Sequence, residues 1–297
     1  MASCFRLFAS FIFISMIWTT SLHSQVPTAS CTFKTFLLNP SNPNNPRITA
    51  WDVNDNRTVV GTADYPVNKP NFWGFVHYSS GTITYWHPAN AKYSFLKGRN
   101  NLGNTVGGYV DTLGIGHAAY LHGSTTTLIV HPKAAHHSTG LVGINNLNTL
   151  LGGYIDVNGK SHIFKRRSDG TFLSVPNFPG AANTTAGGFN DNGVVVGSYG
   201  SSGNVSHGFI YLNGQFATLN FNNNTSSYTE LDGISNNGVI VGNDYGSGFL
   251  YKNGVFKWIK APNSPQTLVR GISAKNEIMT GETVLPSGVH GFTAVCQ

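Results

Sequence analysis

The sequence predicts an all-β chain folded as a six-bladed β-propeller, four strands per blade, with the last blade closed by an N-terminal strand. Three observations predict it. A ten-residue phrase recurs six times, at spacings of 46, 45, 45, 45 and 38 residues. Each copy leads into short apolar segments, often parted by turn pairs such as Asn213-Gly214, Asn253-Gly254 and Asp169-Gly170. These pairs suit two-residue type I′ hairpins, in which both central residues take positive φ. Finally, no fourth apolar segment follows the last copy, while one stands unclaimed ahead of the first.

Composition agrees. Of 297 residues only 10% are charged, against about 25% in a typical domain, while 40% are hydrophobic and 12% aromatic. Low charge with ample apolar content excludes a disordered chain. The shortage of Glu and Lys excludes a coiled coil. Abundant Gly, Asn and Thr beside Phe and Tyr describe strands and tight turns.

The phrase is clearest at Gly188–Gly197 (GFNDNGVVVG) and returns at Gly233–Gly242, Gly143–Gly152, Gly98–Gly107 and Asp52–Gly61. A looser copy spans Gly271–Thr280, its closing glycine one residue late at Gly281. Most copies continue with a Gly/Tyr/Asp segment, as in Gly108–Asp111 and Gly153–Asp156. A third segment follows, His207-Gly208-Phe209 or His290-Gly291-Phe292, with His162-Ile163-Phe164, His117-Ala118-Ala119, Trp73-Gly74-Phe75 and Ser247-Gly248-Phe249 as variants. A fourth comes after the turn pair, as in Gln215–Asn220, Val255–Ile259 and Thr171–Val175. Four strands in 45 residues make one propeller blade. Solenoid coils, at about 20–30 residues, are too short for this unit.

The ends specify the closure. The sixth copy stops at Thr293–Gln297, and the missing outer strand is Thr32–Pro40. Cys31 then lies beside the strand carrying Cys296, and a disulfide between them locks the ring. Residues 1–24 read as a secretory signal: Arg6, then the apolar run Leu7–Trp18, then a polar exit with cleavage before Gln25. That run is shorter than the roughly 20 residues needed to span a bilayer. The expected organisation is a leader over 1–24 and one propeller domain over 25–297, secreted or periplasmic, peripheral to a membrane at most, and monomeric.

The repeated G-[IFR]-[NS]-x-x-G-x-[VIT]-V-G phrase, G-x-Y-x-D segment, H-G-F strand and F-x-x-L segment resemble the bacterial extracellular HAF-repeat family. The resemblance runs from about Ile48 to Phe292 together with the N-terminal strand. It implies an exported propeller-like protein and carries no catalytic motif onto this chain.

Chemistry is expected at the channel mouth. Just before each phrase stand Trp51, Lys97, Val142, Gly187, Asp232 and Arg270, where the repeat is least uniform. Divergence at one inward-facing position is what an asymmetric ligand site requires. Trp51, Lys97, Asp232 and Arg270 are therefore the candidate ligand-binding residues, and Glu230 adds a second carboxylate two residues before Asp232. Acidic residues at the ends of second strands (Asp64, Asp111, Asp156, Asp244, Glu282) read as turn residues. Asp111 and Asp156 are weak candidates for Ca²⁺. The repeated histidines His117, His162, His207 and His290 read as hydrogen-bonding partners of neighbouring loops, because blades spread them too far apart to share an ion. His131, His136 and His137 fall in a loop. Trp51, Trp73 and Trp86 cluster in the first repeat, where aromatic faces suit sugars or core packing.

No GxSxG, HExxH, GxxxxGK or CxxC pattern occurs. The net charge of +6 is dispersed except at Lys165-Arg166-Arg167, so nucleic acid is not the expected partner. The expected function is a non-catalytic binding module for carbohydrate or cell-envelope polymer, with no cofactor. The alternative is an extracellular hydrolase, lyase or metal-dependent lactonase using Glu230, Asp232, Arg270 and Lys97.

Overall fold

A computed structural model describes residues 26–38, 47–65, 72–200 and 205–297. The leader read over 1–24 lies outside these residues. The N-terminal strand is β1 (Cys31–Phe36). Blade I is β2 (Ile48–Val53), β3 (Val59–Asp64), β4 (Phe72–His77) and β5 (Ile83–Trp86); blade II is β6 (Ala91–Arg99), β7 (Thr105–Asp111), β8 (Gly116–His122) and β9 (Thr125–Ile129). Blade III is β10 (Gly140–Ile144), β11 (Leu150–Ile155), β12 (Ser161–Arg166) and β13 (Phe172–Val175). Blade IV is β14 (Asn183–Phe189), β15 (Val195–Gly200), β16 (Ser206–Leu212) and β17 (Gln215–Thr218). Blade V is β18 (Thr229–Ile234), β19 (Ile240–Asp244), β20 (Ser247–Lys252) and β21 (Val255–Trp258). The last blade holds β22 (Thr267–Ile272), β23 (Met279–Leu285) and β24 (Gly288–Cys296).

Each blade is one antiparallel sheet of four strands in chain order, and the last is completed by β1 against β24. Cys31 stands directly opposite Cys296 in that pairing, and the two form a disulfide. The closure is doubled just upstream, where the Ala29 amide donates to the Trp258 carbonyl and the Trp258 amide donates to the Pro27 carbonyl. The N-terminal segment thus holds the outer edge of blade V before it completes blade VI. Among the described residues no helix is long and apolar enough to cross a membrane.

The last glycine of the phrase and the Phe of the third strand are one packing unit. Gly61, Gly152, Gly197, Gly242 and Gly281 sit opposite Phe75, Phe164, Phe209, Phe249 and Phe292, all five rings fully buried. A Cβ on Gly197 would lie 2.1 Å from the Thr185 carbonyl oxygen and 2.9 Å from the Phe209 ring. No side chain fits there, which is why the glycine recurs. Gly281 pairs with Val269 as Gly242 pairs with Leu231, so it is the true equivalent of the other closing glycines. It comes late because the preceding turn is one residue longer: the Ser273 amide reaches Ile278, where the other copies span 54 to 58 or 100 to 104.

Cores form between blades. Val106 and Ala118 of blade II pack with Leu141, Leu150 and Phe164 of blade III, and Leu151 and Ile163 pack with Val195 and Phe209 of blade IV. The two hairpins at Asn213-Gly214 and Asn253-Gly254 have positive φ at both central residues, as expected. At Asp169-Gly170 only the glycine does, because the turn is wider, from the Arg167 amide to the Thr171 carbonyl.

The Asn-rich centre of the phrase belts the lower face, where first strands turn into second strands. Asn145 Oδ1 accepts from the amides of Leu147 and Thr149 in its own turn, and its Nδ2 donates to the Asn190 carbonyl of the next blade. Asn54, Asn100 and Asn190 donate to the next blade in the same way. The following Asx position accepts backbone amides from the preceding blade: Asn101 from Asp55, Asn146 from Asn101, Asp191 from Asn146 and Asn236 from Asp191. The circle closes where Asp55 Oδ1 accepts from the amides of Lys275 and Asn276, about 220 residues along the chain.

Candidate functional site

The first strands of all six blades line a central cavity of about 260 Å³. Their geometry picks out one residue each. In every first strand the pairing register slips by a β-bulge, and the extra residues are Trp51, Lys97, Val142, Gly187, Asp232 and Arg270. A bulge re-aims a side chain that regular alternation would send elsewhere. All six border the cavity, so the position that varies in the sequence is the position turned towards the axis.

Around the ring, Asp232, Arg270, Trp51 and Lys97 come from consecutive blades V, VI, I and II and form one polar arc. At the same position blades III and IV carry the apolar Val142 and Gly187. The Lys97 Nζ lies 2.8 Å from the centroid of the Trp51 ring, and Arg270 Cζ lies 5.3 Å from it. The Lys97 side chain thus lies over the ring face that a sugar would stack on.

A second residue, eleven or twelve positions on, supports the ring from the second strand. Trp51 Nε1 donates to Thr62 Oγ1 at 3.3 Å. Asn243 Nδ2 donates to Asp232 Oδ2 at 2.7 Å, and also to the Val269 carbonyl. Arg270 donates through Nε and Nη2 to Glu282 Oε1 at 3.1 and 2.9 Å. Glu282 was expected to end a strand as a turn residue. It instead sits within β23, directly after Gly281, and holds the channel-lining Arg270. Its Oε2 is buried without a partner.

Sequence reasoning also missed Asp52. Five copies open on glycine and one on this aspartate, a visible signal. Its Oδ2 accepts the Arg99 amide at 2.9 Å, and it lines the cavity.

Burial governs the charges. It pushes Asp232 up to about 7, with Glu230 and Glu282 acting in the same sense and Arg270 and the Asn243 amide opposing. Burial also pushes Asp52 up to about 7, against the amides of Arg99 and Val53. Burial brings Lys97 down to about 7, helped by Arg270 and opposed by Asp232 and Glu282; the indole face opposes it too. Burial alone would lower Arg270, but Glu282 and Asp232 more than offset it. Burial raises Glu282 despite its partner. The cavity therefore holds two carboxyl groups and an amine that change charge near neutrality. Glu230 accepts a hydrogen bond from the Tyr228 hydroxyl at 3.1 Å.

The other candidates stay apart from this site. Asp111 Oδ1 accepts the amides of Leu113 and Ile115, and Asp156 does the same for Asn158 and Lys160. Their second oxygens meet His117 and His162 at 2.9 and 2.8 Å. These histidines thus tie down the neighbouring hairpin turn of their own blade. Among the described residues no three His, Cys, Asp or Glu converge as metal ligands. His131 is buried and stacked on Tyr154 at 3.8 Å. Trp73 stacks on His87 at 4.2 Å and Trp86 meets Tyr109 edge-on at 6.1 Å, both as packing.

These features define a six-bladed β-propeller with an asymmetric, charged channel. No protein-family model matches the chain, and no curated protein matches it in sequence. Solved structures do match. A gluconolactonase from Xanthomonas campestris superposes with a TM-score of 0.51 at 10% identity, over 91% of this chain and 98% of that one. The β-propeller domain of the trilobed protease from Pyrococcus furiosus gives 0.50 at 11% identity, over 84% and 97%. A sialidase from Trypanosoma rangeli gives 0.50 at 10% identity, over 91% and 59%. At these identities the likeness shows the fold.

Proposed function

We propose that this chain is an exported, non-catalytic binding module whose channel takes one sugar-sized unit of a carbohydrate or cell-envelope polymer. One observation carries the reading: at the bulge positions, polar Asp232, Arg270, Trp51 and Lys97 face the apolar Val142 and Gly187 across a cavity of about 260 Å³. Small-molecule pockets span roughly 300–1,000 Å³, so the space suits a single ring or a polymer end. Polar or charged side chains at four of the six bulge positions and none at the other two fit an asymmetric polyol. The Cys31–Cys296 disulfide supports export, in line with a leader over 1–24. Membership of the HAF-repeat family belongs to this proposal, on the repeated residues alone.

Calorimetric titration of the mature chain with neutral and uronic mono- and oligosaccharides tests it. We expect binding without product release, and a loss of about ten-fold or more in affinity on Asp232→Asn. Failure of every sugar at 10-fold excess over millimolar affinity removes the reading.

A second reading rests on Asp232 and Asp52, both held near 7 in the same cavity. Carboxyl groups poised there suit general acid–base chemistry, as a hydrolase, lyase or lactonase needs. Turnover abolished by Asp232→Asn with binding retained would favour it.

A further inference from the structure

Above the ring, towards the face carrying the blade-to-blade connections, lies a second cavity of about 330 Å³. Its walls are aromatic, from Phe72, Tyr93 and Phe95, and it shares Trp51 and Lys97 with the channel cavity. The Lys97 side chain therefore stands at the junction of two spaces. Among the described residues it makes no hydrogen bond and no ion pair within 4.0 Å. Its one close partner is the Trp51 ring, 2.8 Å away. Most lysines of a folded chain keep their ammonium in water or against a carboxylate; this one is partly buried, and among the described residues it has no carboxylate within 4.0 Å.

We propose that Lys97 is a covalent docking point for carbonyl compounds, forming a reversible imine with an aldehyde carried on an apolar or aromatic group in the upper cavity. The aromatic walls receive the body of the compound and the amine meets its carbonyl carbon. The Nζ lone pair forms the C–N bond while the carbonyl π electrons move to oxygen, which takes a proton as nitrogen releases one. The carbinolamine loses its hydroxyl as water after a second protonation, and nitrogen releases its second proton to give the imine. One aldehyde and one amine thus yield one imine and one water, with no oxidant or reductant.

The surroundings favour this. A lysine becomes nucleophilic when it is desolvated or set beside another cation, and Lys97 has both conditions through burial and Arg270. The carboxylates of Asp232 and Glu282 act on it in the opposite sense, and Arg47 stands at the rim, paired with Asp64. A group near 7 is largely uncharged at pH 8, where an ordinary lysine near 10.4 is not. Asp232, also near 7, lines the channel cavity that Lys97 borders as well. This proposal does not depend on what the lower cavity binds.

The test uses benzaldehyde with the mature chain at pH 6 to 9, sodium cyanoborohydride to reduce the imine, and peptide mass spectrometry. We expect Lys97 to be labelled about ten-fold or more faster than the other lysines at pH 7.5, with a rate that rises through pH 7 and levels off. Lys97→Arg should abolish that fast phase while circular dichroism and melting stay near wild type. Should Lys97→Arg not fold, protection of Lys97 by the non-carbonyl analogue toluene replaces it, and the fast phase should fall. Labelling spread evenly over the lysines, or a Lys97 rate still climbing at pH 9 as for surface amines, overturns the proposal. Sugar binding is read on unlabelled protein, so either idea can fail alone.

Discussion

Arg270 and Glu282 stand on adjacent strands of blade VI and meet through two hydrogen bonds, of 3.1 and 2.9 Å, to one carboxylate oxygen. The pair is one-fifth exposed or less on both sides, at 20% and 13%. Removing one member leaves the other charge poorly solvated, which costs about 3–5 kcal/mol for a fully buried pair. With partial exposure we expect Glu282→Ala to lose about 2–3 kcal/mol, visible as a lower urea midpoint. An unchanged midpoint would mean that Asp232 alone satisfies Arg270.

The charged channel makes stability depend on pH. Asp52 has a folded value of about 7, above its ordinary 3.8. Between those values the folded state binds more protons than the unfolded, so this contribution weakens as pH rises from about 4 to 7. Lys97, lowered to about 7, acts above that window: the unfolded state binds more protons there, and stability recovers towards pH 10. Asp52→Asn keeps an acceptor for the Arg99 amide and removes the buried charge. It should stabilise the protein by about 2 kcal/mol at pH 8 and not at pH 4. Equal effects at both values would place the carboxylate outside the buried cavity.

The disulfide closes 265 residues of chain. In the chain-entropy model a loop of that length stabilises by about 5 kcal/mol, often less in practice. The double variant Cys31→Ser with Cys296→Ser should lower the denaturation midpoint by that order, and intact mass of the wild type should show no free thiol in the mature chain. Two titratable thiols would refute the bridge.

Gly197→Ala tests the packing unit of the repeat. Its new Cβ would lie 2.1 Å from the Thr185 carbonyl and against Phe209. Overpacking costs typically 1–3 kcal/mol, and here backbone blocks relaxation. We expect at least 3 kcal/mol, as large as Phe209→Ala at about 3–5 kcal/mol. A loss under 1 kcal/mol would show that the strands part easily.

Much of this was legible in the chain because repetition makes packing rules visible. Gly197 and Phe209 recur with their equivalents since a carbonyl and a ring claim the same volume in every blade. Divergence at Trp51, Lys97, Asp232 and Arg270 marked the inward position before any geometry was known. Thr62, Asn243 and Glu282 were harder to see, because contact across a bulged strand pair depends on register. Composition shows nothing of it. Glu282 was misread for that reason: an extra residue in the turn before β23 shifts its place relative to Arg270.

Local patterns of glycine, asparagine and alternating apolar residues were enough to determine six blades, their strand order and the seam at Cys31 and Cys296. These are short-range rules of turn, strand and cross-strand pairing, written again in each repeat. Only the closed ring decided that Lys97 lies over Trp51, that Asp52 and Asp232 share a cavity, and that Arg270 takes Glu282 as its partner. Those residues come from different blades or different strands, and their charges are set by burial, which arises when the blades close around the axis.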